Sequence, residues 1–147
     1  MSRASVSAAL ERLVIARAQS LCEYCRLPES FSPDPFVIEH IVPRSQGGDS
    51  DAGNLALSCQ GCNNFKYTKT MGIDPNSGEP ASLHHPRRER WSDHFAWSDD
   101  FRLMIGLTAT GRATIRTLRL NRSGVVNLRG LLYQAGEHPP VETSTVR

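Results

Sequence analysis

The sequence predicts an α+β fold built around one short stretch, and three observations predict it. Two Cys-x-x-Cys pairs, Cys22/Cys25 and Cys59/Cys62, hold every cysteine of the chain. Between them lie a β-branched and aromatic run, Phe36-Val37-Ile38-Glu39-His40-Ile41, and a shorter run, Asn54-Leu55-Ala56-Leu57-Ser58, separated by a polar, glycine-rich segment. Helical patterns precede the first pair and follow the second. Two close thiol pairs are what one shared tetrahedral Zn²⁺ requires. Disulfides and a redox pair are the competing readings. Glu11, Arg12 and Arg17 interrupt the apolar N-terminal residues, so no secretory signal is read there, and a reducing cytosol disfavours disulfides. Only the second pair has the strand-to-helix context of a redox motif. The expectation is a structural zinc site in a soluble, cytoplasmic protein.

The elements follow in chain order. Val6, Leu10, Leu13, Val14 and Leu21 keep a helical period, which predicts an amphipathic helix over 5–19 that delivers the chain to the first cysteine pair. Pro28, Pro33 and Pro35 then prevent regular structure until the strand at 36–41. Residues 43–53, with Gly47-Gly48 and Gly53, read as a broad surface loop whose ends return close together. A second, short strand follows at 54–58, and a helix starts at Cys59, carries Asn63, Phe65 and Lys66, and stops before Gly72 and Pro75.

Residues 74–80 read as a linker. Beyond them, Phe95 and Trp97 alternate against Phe101, Leu103, Ile105 and Leu107 as a hairpin with one buried face. Thr110 is placed to cap a helix with Arg112, Arg116 and Arg119 on one face, and Asn121 to cap another with Val125, Leu128 and Leu132. The chain thus divides into 1–79, the first helix and the cysteine-stapled core, 80–140, a hairpin and helical extension packed on it, and 141–147, a polar tail.

Length and composition fit a modest core with no transmembrane run. The formal net charge is only +2, yet Phe101–Gly136 contains no acidic residue and includes Arg102, Arg112, Arg116, Arg119, Arg122 and Arg129. Such concentration suggests an anionic partner. The Arg87/Arg88/Arg90 cluster and Trp91 and Trp97 are further candidates for phosphate contact and base stacking. His84, His85 and His94 lack a metal-ligand spacing and are read as bystanders.

The ordered set Cys22-Glu23-Tyr24-Cys25, Ile38-Glu39-His40-Ile41-Val42-Pro43, Gly47-Gly48, Asn54-Leu55 and Cys59-x-x-Cys62-Asn63-x-x-Lys66 resembles the zinc-containing, four-cysteine branch of the HNH endonucleases. The resemblance covers roughly residues 20–70 and implies the ββα-metal fold. It implies hydrolysis of DNA phosphodiesters, most naturally in duplex DNA, leaving a 5′-phosphate and a 3′-hydroxyl, with no membrane partner. His40 takes the general-base role, suited to an imidazole that titrates near neutrality. Glu39 and Asn63 hold the catalytic cation, and an oxygen pair of that kind favours Mg²⁺ or Mn²⁺. Asn54, the middle letter of the motif, ties the loop to the backbone near His40. Arg44, Lys66, Arg87 and Arg88 are candidate phosphate contacts. One geometric conflict stands: adjacent strand residues point to opposite faces, so Glu39 and His40 share a site only if the strand ends there. The rival reading is a zinc-stapled nucleic-acid-binding module without turnover.

Overall fold

Ser7 opens the first helix by accepting a hydrogen bond from the Leu10 N–H, and α1 runs Ala8–Arg17. In the computed structural model, which describes residues 6–141, α1 buries Val14 on the core while Leu13 stays 48% exposed, so its apolar face is narrower than the spacing predicts. At its last turn the Arg17 Nη2 donates to the carbonyls of Ala52 and Leu55, each at 2.6 Å, and so ties α1 to the point where the central loop returns. The polar tail expected over 141–147 lies outside the described residues from 142 onward.

Strands β1 (Val37–His40) and β2 (Leu55–Ser58) pair antiparallel, with His40 opposite Leu55 and Glu39 opposite Ala56. The first cysteine pair docks along β2: the Glu23 N–H donates to the Leu57 carbonyl, and the Leu57 N–H donates back to Glu23 Oε2, both at 2.9 Å. Helix α2 (Gln60–Lys66) follows at once, so β1, the loop, β2 and α2 form the expected ββα unit. Ile38, Leu55, Leu57, Phe36 and Tyr24 are buried together with Val14, Leu118 and Leu120 in one cluster, so the extension shares the core of the ββα unit.

The second half departs from the sequence reading in four places. Residues 74–79 are the closed turn of a hairpin, β3 (Met71–Ile73) with β4 (Pro80–Ser82), so the 79/80 boundary falls inside this hairpin. Buried Asp74 organises that turn: it accepts from the Asn76 N–H and the Ser77 hydroxyl, and forms a bidentate pair with Arg112 at 2.8 and 3.0 Å. After the short helix α3 (Trp91–His94), β5 (Phe95–Trp97) pairs with β6 (Met104–Gly106) in a register that buries Met104 and leaves Leu103 and Ile105 each 41% exposed. This is the opposite face from the one alternation suggested, because Asn121 grips Met104 through both its N–H and its carbonyl.

The caps differ as well. Helix α4 (Ala109–Leu118) is capped by Thr108, whose Oγ1 accepts from the Gly111 N–H, while Thr110 lies inside the first turn. Helix α5 (Ser123–Gln134) starts after Arg122 with no side-chain cap, since the Asn121 amide is spent on Met104.

Ile38 is fully buried at the centre of β1, directly before the Glu39-His40 pair. Ile38→Ala is expected to cost about 2–5 kcal/mol through lost transfer energy and an unfilled cavity, measured as the change in unfolding free energy with denaturant.

Candidate functional site

The four cysteine sulfurs lie within 4.8 Å of one another, all as free thiols. Local backbone builds each half: the Cys25 N–H donates to Cys22 Sγ and the Cys62 N–H donates to Cys59 Sγ, both at 3.4 Å, and Cys59 is also the N-cap of α2. The Cys25–Cys59 sulfur distance is 3.8 Å. A tetrahedral ion with thiolates at about 2.3 Å sets its sulfurs roughly 3.8 Å apart, so the donors fit Zn²⁺ in size and chemistry. Hydrogen bonds from the other three thiols pull Cys59 far below the ordinary thiol range, while hydrogen bonding to their neighbours and then burial push Cys25 and Cys62 up. Without a cation the cluster therefore concentrates its negative charge on few sulfurs. A divalent ion lets all four ionise.

The extension supplies the balancing charge. Arg122 places its guanidinium nitrogens 3.6 Å from Cys59 Sγ and 3.6 Å from Cys62 Sγ. Buried Arg129 donates to the carbonyls of Cys25 at 3.2 Å and Leu120 at 2.8 Å, and to Asn121 Oδ1. Two members of the arginine-rich segment thus face inward, toward thiolates and carbonyls.

On the other side of α2 lies a cleft of about 420 Å³ lined by Glu39, His40, Arg44, Asn63 and Tyr67 among others. Glu39 and His40 are the last two residues of β1, and both border this space. His40 is 6% exposed. Its Nε2 lies 2.9 Å from Ser50 Oγ, and its Nδ1 has no partner among the described residues. Burial, then the positive charge of Arg44, lowers the His40 pKa below its ordinary 6.5, which favours the neutral imidazole.

Glu39 is held from two sides: the Tyr24 hydroxyl donates to Oε1 at 2.6 Å and Lys66 Nζ sits 2.5 Å from Oε2. Burial pushes this carboxyl up, and the Lys66 charge pulls it back. Lys66 was expected on phosphate, but it is 1% exposed and also donates to the Ile41 carbonyl at 2.8 Å. Its ammonium balances a carboxylate that would otherwise be buried alone. Arg87 was expected in the same role and is likewise buried, paired with Glu23. Trp91 and Trp97 pack tilted against one another, ring centres 5.1 Å apart, against the core and are no open base platform. Arg44 and Arg88 are exposed, Arg88 beside a second cleft formed by Gly47, Gly48, Asp49 and Asn54. Arg116 and Arg119 are also exposed, whereas Arg112 is committed to Asp74.

Asn54 fastens the loop. Its Oδ1 accepts from the Val42 N–H at 2.9 Å, and its Nδ2 donates to the carbonyls of Val42 at 3.0 Å and Asp49 at 2.8 Å. Gly47 takes φ +89, and a Cβ on Gly48 would stand 1.8 Å from the Val42 carbonyl oxygen, so the Gly-Gly pair is what lets the loop close on itself. Two residues, one bonded to His40 and one lining the cleft, escaped the sequence reading. Ser50 sits in a polar loop where nothing in the spacing distinguishes it, and Tyr67, 73% exposed, ends α2 at φ +53.

Residues 22–69 match the family model described as HNH endonuclease, the segment that carries the cysteine cluster, the Glu39, His40 and Asn63 cleft, and the Asn54 clamp. No curated protein and no solved structure matches the chain. No helix among the described residues is long and apolar enough to cross a membrane.

Arg122→Ala is expected to weaken zinc binding about 10–100-fold, as loss of a charge supporting metal ligands does, read by competition with a chromophoric chelator. Gly48→Ala is expected to displace the loop from Val42, seen as faster amide exchange at Val42 and Asn54 with the zinc content unchanged.

Proposed function

We propose that the protein is a divalent-metal-dependent HNH endonuclease acting on DNA phosphodiesters. The observation that carries this reading is the sharing of one cleft by Glu39 and His40 from the end of β1 and Asn63 from α2. The family match over the same residues supports it. His40 is the base, Glu39 and Asn63 are the cation-binding oxygen donors, and Asn54 is the loop clamp.

The donors are the oxygens a hard ion prefers: the Asn63 amide lies on the cleft, with room for waters, and the Glu39 carboxylate borders it while held by Tyr24 and Lys66. When bound, Mg²⁺ or Mn²⁺ would supply Lewis-acid stabilisation of charge on the phosphate and the leaving oxygen. The chain's own residues do the rest. Ser50 on Nε2 fixes the imidazole, and His40 accepts the proton of the attacking water. The water oxygen bonds to phosphorus as the P–O3′ bond breaks, and the leaving O3′ takes a proton from solvent water, which yields a 5′-phosphate and a 3′-hydroxyl. Tyr24 and Lys66 hold the Glu39 carboxylate in one orientation and offset its burial. Arg44 and Arg88, exposed beside the two clefts, would steady the DNA backbone.

The Lys66 pair gives the rival reading its footing, because a carboxylate already neutralised by an ammonium can be purely structural. The two readings separate on supercoiled plasmid with Mg²⁺, Mn²⁺ or EDTA: an endonuclease nicks it, and a binding module only retards it. His40→Ala is expected to lower the cleavage rate about 10²–10⁴-fold while zinc content and DNA retardation persist. Unchanged cleavage would remove His40 as the base. Ser50→Ala is expected to lower kcat more than it changes KM.

A further inference from the structure

His84 leaves β4, Glu89 closes the following turn and His94 ends α3, yet the three side chains converge. His84 Nδ1 lies 3.4 Å from Glu89 Oε1, and His94 Nε2 lies 3.6 Å from the same oxygen. His84 is almost completely buried, and its Nδ1 has no hydrogen-bond partner among the described residues. An orphaned buried nitrogen aimed at a carboxylate and a second imidazole requires an explanation.

A charged pair does not supply one. Hydrogen bonds between an imidazolium and a carboxylate contract to about 2.7–2.9 Å, and both contacts are longer. The spacing instead suits ligands around an ion: nitrogen and oxygen donors at about 2.0–2.1 Å on a tetrahedron stand roughly 3.4 Å apart.

The outer contacts have the arrangement that metal-bound histidines show. His94 Nδ1 is 2.6 Å from Thr108 Oγ1, which orients the ring and leaves Nε2 toward Glu89. The His85 N–H donates to Glu89 Oε1 at 2.9 Å and fixes the carboxylate. Glu89 is partly exposed and lines clefts on two sides, so an ion has a route in from solvent.

We propose that His84 Nδ1, Glu89 Oε1 and His94 Nε2 form a second metal site, distinct from the four-cysteine centre and from the Glu39/Asn63 cleft. Two imidazoles and one carboxylate select a borderline ion of the Zn²⁺ class over Mg²⁺. Three protein ligands leave one position to water, and the ion would pin the end of β4 to α3 and, through Thr108, to the start of α4. The inference does not depend on the nuclease reading.

The test is zinc stoichiometry on the full chain, by equilibrium dialysis at micromolar free Zn²⁺, with Co²⁺ as a spectroscopic substitute. Two zincs per chain are expected. The first Co²⁺ equivalent should give thiolate charge-transfer absorption, and the second only weak ligand-field bands. Glu89→Gln and His94→Ala should each weaken the second site at least tenfold and leave the charge-transfer band intact. That band also reports that the variant is folded. One zinc per chain in the unaltered protein, or two retained in Glu89→Gln, overturns the proposal.

Discussion

The convergence of four thiols at the N-terminus of α2 is the constraint on which the remaining geometry depends. Cys59 and Cys62 fix where α2 begins, because one caps the helix and the other lies in its first turn. Cys22 and Cys25 bring the preceding segment alongside β2, where Glu23 pairs with Leu57. Once those ends are joined, Asn63 can only fall one residue after the metal ligand and Lys66 one turn further, on the face that meets β1. A shift of α2 by a single residue would rotate both away from Glu39 by about 100°. An ion held by these four thiols would therefore set the register of the cleft as well as staple a small core.

Buried charge is the second organising element, and it runs in matched pairs. Glu39 with Lys66 and Glu23 with Arg87 are interior ion pairs, each tied to the backbone: Lys66 to the Ile41 carbonyl and Glu23 to the Leu57 N–H. Desolvation makes such pairs poor sources of net stability, but the penalty for breaking one is large, so they hold side chains to one arrangement. For Glu39 that rigidity lies beside His40, at the cleft where chemistry is proposed.

The ββα unit was legible in the sequence because its signals are local: knuckle spacing, a β-branched run, a glycine pair and a strand-to-helix switch each span a few residues. The end of β1 at His40 could be anticipated from the polar loop that follows. What escaped the sequence were partnerships across long separations. Lys66 and Arg87 look like solvent-facing cations by type and spacing, and only the fold shows that Glu39 and Glu23 lie under them. The β5–β6 register was misjudged because alternation fits either face, and the deciding contact comes from Asn121, 17 residues beyond Met104. The histidine cluster was passed over because its third member is a glutamate and its ligands lie on three separate elements.

The same distances decide what the C-terminal extension is for. The family match stops at residue 69, yet the matched segment does not satisfy itself. Its thiolates meet Arg122, the carbonyl of Cys25 meets Arg129, and its buried Glu23 meets Arg87, all from beyond residue 80. Removing those arginines would leave a multiply ionised sulfur cluster and an interior carboxylate without counter-charge, each costly in a low-dielectric setting. The acid-free stretch between Phe101 and Gly136 is explained in part by this inward duty: a segment that must lie against four thiolates cannot carry carboxylates there. Its exposed arginines are Arg102, Arg116 and Arg119.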